Sequence, residues 1–212
     1  MSQLKLQILI GSTREGRAAD KVAPWITSAA QKHGKFEVEV LDLRNWPLPF
    51  FAENLTTIGD RANPTFSQPI VKQWNQKIAE GDAFLFITPE YNHSTSGVLK
   101  NAIDSVFVTY AFRNKPVGFA GYSGGTVGGA RAVEQLVQIC FEAEMVPLRD
   151  TVLVPQVNQA FGDDGQPKAP ALNASLGITL DDLAWWAALL KPARSTQLPP
   201  GNGRLMRALA PK

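Results

Sequence analysis

The 212-residue chain is 44% hydrophobic and 19% charged, with a formal net charge of +2, the make-up of a globular domain large enough to bury a core without staples. Its one cysteine, Cys140, excludes an internal disulfide, a cysteine-based zinc cluster and an iron–sulfur cluster held by this chain alone. No run approaches the roughly 18 to 20 uncharged apolar residues of a membrane span, so a cytoplasmic, reducing setting is expected.

In chain order, strand and helix patterns alternate. Leu4 to Ile10 runs straight into a glycine turn and reads as a first strand rather than a cleavable leader. Ala18, Ala19, Val22, Ala23, Ile26, Ala29 and Ala30 then mark one helical face, with Pro24 expected to kink the helix or displace its start. Phe36 to Asp42 alternates apolar and acidic residues, the pattern of a strand with one wetter side at a sheet edge. The irregular segment Leu43 to Phe66 carries Trp46, Pro47, Leu48, Pro49, Phe50 and Phe51. Loops beyond about 12 to 15 residues are usually functional or mobile, and this aromatic content predicts that it packs on a partner subunit or roofs a site.

Ser67 is expected to cap a helix with Pro69 in its first turn and Ile70, Val71, Trp74 and Ile78 on its buried stripe. Ala83 to Ile87 is apolar without interruption, as in a strand of a parallel sheet covered on both faces. A polar loop follows, and then a helical face of Val98, Leu99, Ala102, Ile103, Val106 and Phe107. Pro116 to Gly121 reads as a fourth strand, and Val133, Leu136, Val137 and Cys140 line a fourth helix. Met145 to Val154 reads as a fifth strand that Pro147 demotes to an edge. Thr179 is expected to cap the last helix, with Asp181 and Asp182 at the positive end of its dipole and its end near Leu190. Five β–α repeats, with two wet or broken edges flanking three apolar strands, predict an α/β three-layer sandwich. Its sheet would be five-stranded and parallel in the order 2-1-3-4-5, flavodoxin-like, with helices on both faces. Residues 1–190 form that domain, and residues 191–212 a basic, Pro/Gly-containing tail. The tail holds Lys191, Arg194, Arg204, Arg207 and Lys212 and no acids, so removing its five cations takes the formal charge from +2 to −3. It lacks the clustered basic face and aromatic platforms of a nucleic-acid surface.

In such a sheet, ligands bind beyond the carboxyl ends of the strands, and three loops fall there. Gly11-Ser12-Thr13-Arg14-Glu15-Gly16-Arg17 offers turn amides, two hydroxyls and two arginines where a phosphate could bind. It has neither the dinucleotide fingerprint nor a P-loop lysine, and a plain turn with exposed arginines is the alternative. In the second loop, Tyr91 could stack on a planar ligand while Asn92 and Ser94 offer donors. Glu90 reads as a capping or salt-bridged carboxylate rather than a general acid or base, and His93 as an incidental loop histidine. The third loop, Gly121-Tyr122-Ser123-Gly124-Gly125-Thr126, brings bare backbone close to any ligand. It also matches G-x-S-x-G, the nucleophile elbow of α/β-hydrolases. The catalytic histidine of that fold follows the serine, whereas His33 and His93 both precede Ser123.

The set of Gly11 to Arg17, Pro89-Glu90-Tyr91-Asn92 with Ser94 and Gly97 to Asp104, and Ser123-Gly124-Gly125 resembles the NADPH-dependent FMN reductase family of flavodoxin-like proteins over roughly residues 4 to 190. The resemblance implies an FMN-dependent NAD(P)H oxidoreductase that passes hydride from NADPH or NADH through FMN to a small-molecule acceptor, without an obligatory catalytic side chain or metal. Ser12, Thr13, Arg14 and Arg17 would hold the FMN phosphate. Pro89, Glu90, Tyr91 and Asn92 would line the isoalloxazine, and Ser94 with Ser123, Gly124 and Gly125 would close the other side. A serine in many members where Arg17 stands leaves open whether Arg17 meets FMN or NADPH. Proline and tryptophan are common where Ser96 and Ser105 stand, departures that touch the helix start and the subunit contact. A homodimer or homotetramer is expected, with neither membrane nor nucleic-acid partner. An electron shuttle or a non-catalytic flavin-binding regulator is the alternative.

Overall fold

The computed structural model describes residues 3–60 and 63–196. Its elements are β1 (Leu4–Ile10), α1 (Ala19–His33), β2 (Phe36–Asp42), α2 (Leu55–Ile58), α3 (Pro69–Glu80), β3 (Ala83–Pro89), α4 (Gly97–Asp104), β4 (Pro116–Tyr122), α5 (Ala130–Glu142), β5 (Val146–Pro147), β6 (Val152–Val154) and α6 (Pro170–Arg194). The sheet is parallel in the order β2-β1-β3-β4-β5, and β6 pairs with β4 further along the same edge. Every residue of β3 and β4 is buried. Because successive strand side chains point to opposite faces, Leu6, Ile8 and Leu85 pack against α1 and α6 with Ile26, Leu176 and Leu183. Leu9, Phe84, Phe86 and Phe119 pack against α3, α4 and α5 with Trp74, Leu99 and Leu136. This is the expected flavodoxin-like sandwich. Among the described residues no helix is long and apolar enough to cross a membrane.

Several local expectations give way to tertiary packing. Pro24 neither ends nor delays α1: it lies on the exposed side, so the Asp20 carbonyl that loses its helical donor faces water. The cap of α3 is Gln68, without a side-chain bond, because Ser67 donates both its N–H (2.9 Å) and its hydroxyl (2.6 Å) to the buried Glu53. Val137 lies on the exposed side of α5. The fifth strand is split, since Pro147 lacks the N–H needed to continue the ladder; Leu148 donates to Val117 (2.9 Å) and pairing resumes only at Val152.

The largest departure is α6. It starts at Pro170, nine residues before the expected cap, and Thr179 sits buried in mid-helix with its hydroxyl on the Ser175 carbonyl at 2.9 Å. Polar and glycine residues weaken this stretch as a local signal. Leu172, Leu176, Leu180 and Leu183 nevertheless form a continuous buried stripe on the sheet. The helix also runs past Leu190: Lys191 and Arg194, assigned to the tail from sequence, both pair with Asp82 at the start of β3, at 2.6 and 2.7 Å. The rest of the tail, residues 197–212, lies outside the described residues.

Lys115 is buried at the same end of the sheet. Its ammonium donates to the carbonyls of Ile78 (3.1 Å) and Ala79 (2.9 Å) in the last turn of α3. Burial, reinforced by the charge of Arg194, brings its pKa down to about 7. Between that value and the ordinary 10.5 the unfolded chain carries a proton that the folded chain lacks, so stability falls as pH drops through this window and levels off below it. Denaturation of wild type and Lys115→Met should therefore diverge in the wild type's favour by about 1.4 kcal/mol per pH unit between pH 7 and 9. Parallel pH profiles would show that the amine stays charged in the fold.

Candidate functional site

The carboxyl ends of β1, β3 and β4 open onto a cavity of about 300 Å³ bordered by Arg14, Arg17, Glu90, Tyr91, Tyr122, Ser123 and Gly124. The first loop is drawn tight against the fold. Gly11 donates to the Ile87 carbonyl at 2.8 Å, and a Cβ at Gly11 would lie 2.8 Å from Leu99 and 2.9 Å from that carbonyl, so only glycine fits. Ser96 caps α4 by accepting from Leu99 N–H (3.2 Å) and donates to the Gly11 carbonyl, which ties the first loop to the helix after the second.

The two arginines of the first loop take different roles. Arg17 is turned inward: its Nε–H meets Asp20 at 2.8 Å, one terminal nitrogen reaches the Ser12 carbonyl and Asp42 Oδ1 (2.7 Å), and the other reaches Asp42 Oδ2 (2.5 Å). Four of its five N–H donors are thereby used inside the protein. Hydrogen bonding to Asp42 raises the Arg17 pKa above its usual range. Burial works against ionisation of Asp42, but Arg17 and the Arg44 N–H outweigh it and hold the carboxyl below its usual value. Arg44 completes the brace, donating to the Arg14 carbonyl and, at 3.3 Å, to Asp20. Arg14 stays exposed, its guanidinium carbon 5.4 Å from the centre of the Tyr91 ring. The sequence pattern could not tell the two apart, because the partner that claims Arg17 is 25 residues away.

The second loop is a tight hairpin. Tyr91 and Ser94 exchange backbone hydrogen bonds of 2.9 and 3.0 Å around Asn92 and His93, whose φ angles are +50° and +64°. Two successive positive φ values define the mirror-image type I′ turn, and asparagine is among the residues that tolerate it best. Asn92 and Ser94 thus serve the turn, while Tyr91 reaches across to Ser12 with 2.9 Å between hydroxyls. Glu90 donates its N–H to the Tyr122 carbonyl (3.1 Å), and its carboxylate pairs with Arg131 of α5 at 2.6 Å. His93 accepts from the same guanidinium at 2.7 Å.

In the third loop, Ser123 donates its hydroxyl to the Gly125 carbonyl (3.2 Å) rather than to a histidine. Its backbone N–H is held by the Val154 carbonyl at 3.2 Å. A Cβ on Gly124 would meet nothing within 4 Å, and Gly124 and Gly125 are both exposed, so the backbone here is open to a ligand's approach. Gly129, at φ +87°, must be glycine, since a Cβ would lie 2.4 Å from the Tyr122 nitrogen.

Ser12, Arg14, Arg17, Pro89, Glu90, Tyr91, Ser123 and Gly124 converge around the cavity or touch residues that line it. Thr13 points instead into a neighbouring cleft of about 400 Å³ with Leu43, Arg44, Trp46, Leu48 and Phe50. Asn92, Ser94 and Gly125 are not among the residues that border the cavity: the first two belong to the turn of the second loop, and the Gly125 carbonyl accepts from Gln156 N–H at 2.9 Å. The aromatic loop lies on its own chain, with Trp46 edge-on to Trp74 at 4.9 Å and Asn101 bonding the backbone of Pro49 and Phe51 at 2.8 Å each. Two residues missed in the sequence are Arg131 and Tyr122. The Tyr122 hydroxyl is buried with no hydrogen-bond partner of good geometry; burial, with Tyr91 nearby, pushes its pKa up, and the Ser12 hydroxyl close by opposes that rise without cancelling it. Their signal was positional only: Tyr122 ends an apolar strand and Arg131 opens the helix after the glycine loop.

A model of a family described as NADPH-dependent FMN reductase matches residues 4–159. An NAD(P)H-dependent FMN reductase of Pseudomonas aeruginosa is 34% identical over 157 residues, covering 73% of this chain and 80% of the relative. Another, of Schizosaccharomyces pombe, is 29% identical over 155 residues, covering 72% and 74%. The fold is similar to that of FerB, a flavoenzyme NAD(P)H:(acceptor) oxidoreductase of Paracoccus denitrificans, with a TM-score of 0.71 at 24% identity over 88% of this chain and 98% of that one. The match over the three loops and the sheet that carries them places this chain in the NADPH-dependent FMN reductase family.

Proposed function

We propose that the chain binds FMN across its three loops and acts as an NAD(P)H-dependent reductase of a small acceptor. The observation that carries this reading is the convergence, around one cavity, of an exposed cation over an aromatic ring, exposed glycine backbone and a buried hydroxyl with no well-formed hydrogen bond. These donors suit a ligand with an anionic end, a flat ring and polar ring edges. Arg14 and the amides of the first loop would hold the phosphate, with Ser12 beside them. Pro89 and Tyr91 would wall the ring, and the backbone of Gly124 would approach its polar edge. Tyr122 would gain its missing partner from the same ligand. The bound cofactor supplies hydride acceptance and donation, and the protein supplies orientation and electrostatics.

No side chain of the cavity is required to move a proton: Glu90 is paired with Arg131, and His93 accepts from the same group. One open face would serve NAD(P)H and acceptor in turn, giving ping-pong kinetics with a quinone, free flavin, azo compound or metal oxyanion as acceptor. Phe50, 92% exposed on the aromatic loop at the neighbouring cleft, would meet a second copy in a homodimer or homotetramer. The single buried Cys140 suits a cytoplasmic setting.

The purified protein should show a flavin spectrum, alone or after reconstitution with FMN, and NADPH or NADH added without oxygen should bleach it rapidly. Stable colour would indicate an electron shuttle or a sensor, and failure to take up FMN would overturn the reading. His93→Ala should lose far less turnover than the ~100-fold or more expected on removing a general acid or base. A loss of that size in steady-state assays would restore His93 as a catalyst.

A further inference from the structure

Arg131 stands outside the three loops yet holds one of them. It lies in the first turn of α5, two residues after Gly129. Its guanidinium reaches back to the second loop, 2.6 Å from Glu90 Oε1, and its backbone N–H donates to Glu90 Oε2 at 3.3 Å. The Glu90 side chain is only 5% exposed, and a carboxylate so placed depends on its partner for stability. A third contact, 2.7 Å to His93 Nε2, pins a residue whose backbone is already in the left-handed region. The Nε–H of Arg131 is buried with no acceptor. The guanidinium is thus oriented to serve Glu90 and His93 at the expense of one of its own donors.

We propose that Arg131 is a positioning residue for the cofactor: locked on Glu90, it fixes the second loop against the third and cancels a negative charge beside the ring. The proposal rests on the FMN reading above. Glu90 borders the same cavity as Tyr91 and Ser123. An uncompensated carboxylate there would oppose the electron density that arrives on reduction, so it should cost reduced FMN more than oxidised FMN. Arg131 therefore tunes the potential of the bound cofactor as well as its affinity.

The test compares Arg131→Gln, Glu90→Gln, the double variant and Arg131→Lys in the reconstituted holoprotein, measuring FMN dissociation constants and the two-electron midpoint potential at pH 7. Arg131→Gln should bind oxidised FMN about tenfold more weakly and reduced FMN about a hundredfold more weakly. That tenfold difference is a fall in potential of about 30 mV for a two-electron couple. Adding Glu90→Gln should return the potential to the wild-type value, because it removes the charge that Arg131 offsets. Arg131→Lys keeps the charge without the paired geometry, so it should hold the potential while losing affinity. An unchanged potential in Arg131→Gln, or a fall that Glu90→Gln leaves in place, overturns the proposal even if the wild type is a working flavoprotein. Should Arg131→Gln fail to fold, a lowered potential in Arg131→Lys overturns it equally. If the wild type takes up no FMN, the functional reading itself has failed, and the proposal with it.

Discussion

Replacing Arg17 with leucine should lower the unfolding free energy by about 3 kcal/mol while leaving FMN affinity within a few-fold of wild type. The substitution removes the donors that satisfy the Ser12 carbonyl, Asp20 and both oxygens of Asp42. Asp20 loses little, since it lies half in solvent and keeps Arg44. Asp42 is more enclosed, at 21% side-chain exposure, and becomes a largely buried ion with only the Arg44 N–H as compensation. Breaking such a pair by removing one partner costs about 3 to 5 kcal/mol, and the remaining solvent contact of Asp42 argues for the lower end. Urea denaturation at pH 7 measures the loss, and Asp42→Asn in the same chain should recover most of it by removing the stranded charge. A collapse of FMN affinity at unchanged stability would instead show that Arg17 serves the phosphate directly.

Arg14→Ala should do the reverse. Its side chain is exposed and its ring contact with Tyr91 is a surface cation–π pair, so stability should change by less than about 1 kcal/mol. A charge-assisted hydrogen bond to a phosphate contributes about 1.5 to 3 kcal/mol, which corresponds to roughly a 10- to 100-fold rise in the FMN dissociation constant. Arg14→Lys should recover part of this, because a point charge replaces a two-pronged donor. Titration with riboflavin, which lacks the phosphate, separates the cause: wild type and Arg14→Ala should bind it alike. Equal FMN affinities in the two proteins would remove Arg14 from the phosphate site. Measured together, the Arg14 and Arg17 variants should cross over, one failing in binding and the other in folding, although the sequence presents both residues in one loop as equivalent cations.

That crossover shows what kind of information the sequence carries. Residues whose role is set by neighbours a few positions away were legible. The unbroken apolar runs of β3 and β4, the mixed pattern of β2 and the proline in β5 together specify which strands are central and which are edges, and hence the sheet order. The loops at the carboxyl ends of β1, β3 and β4 follow from that order. So does the failure of the hydrolase motif, since both histidines precede Ser123. Where a role is set by a partner distant in sequence, the pattern misleads. Ser67 has the chemistry of a helix cap and instead serves Glu53. Thr179 has the look of a cap and lies inside a helix whose weak first turns are held down by leucines on the sheet.

By itself, then, the sequence determined the sandwich, its strand order and the loops that border the candidate cavity, because hydrophobic period and turn chemistry are local properties repeated along the chain. Only the tertiary structure decided which charged groups face the cavity. Asp42 turns Arg17 inward, Arg131 arrives from α5 to hold Glu90, and the Tyr122 hydroxyl is left buried and unpaired. The ion pairs of Arg17 with Asp42 and of Arg131 with Glu90 join groups that the fold brings within about 3 Å across 25 and 41 residues of chain, and no local period records such a meeting.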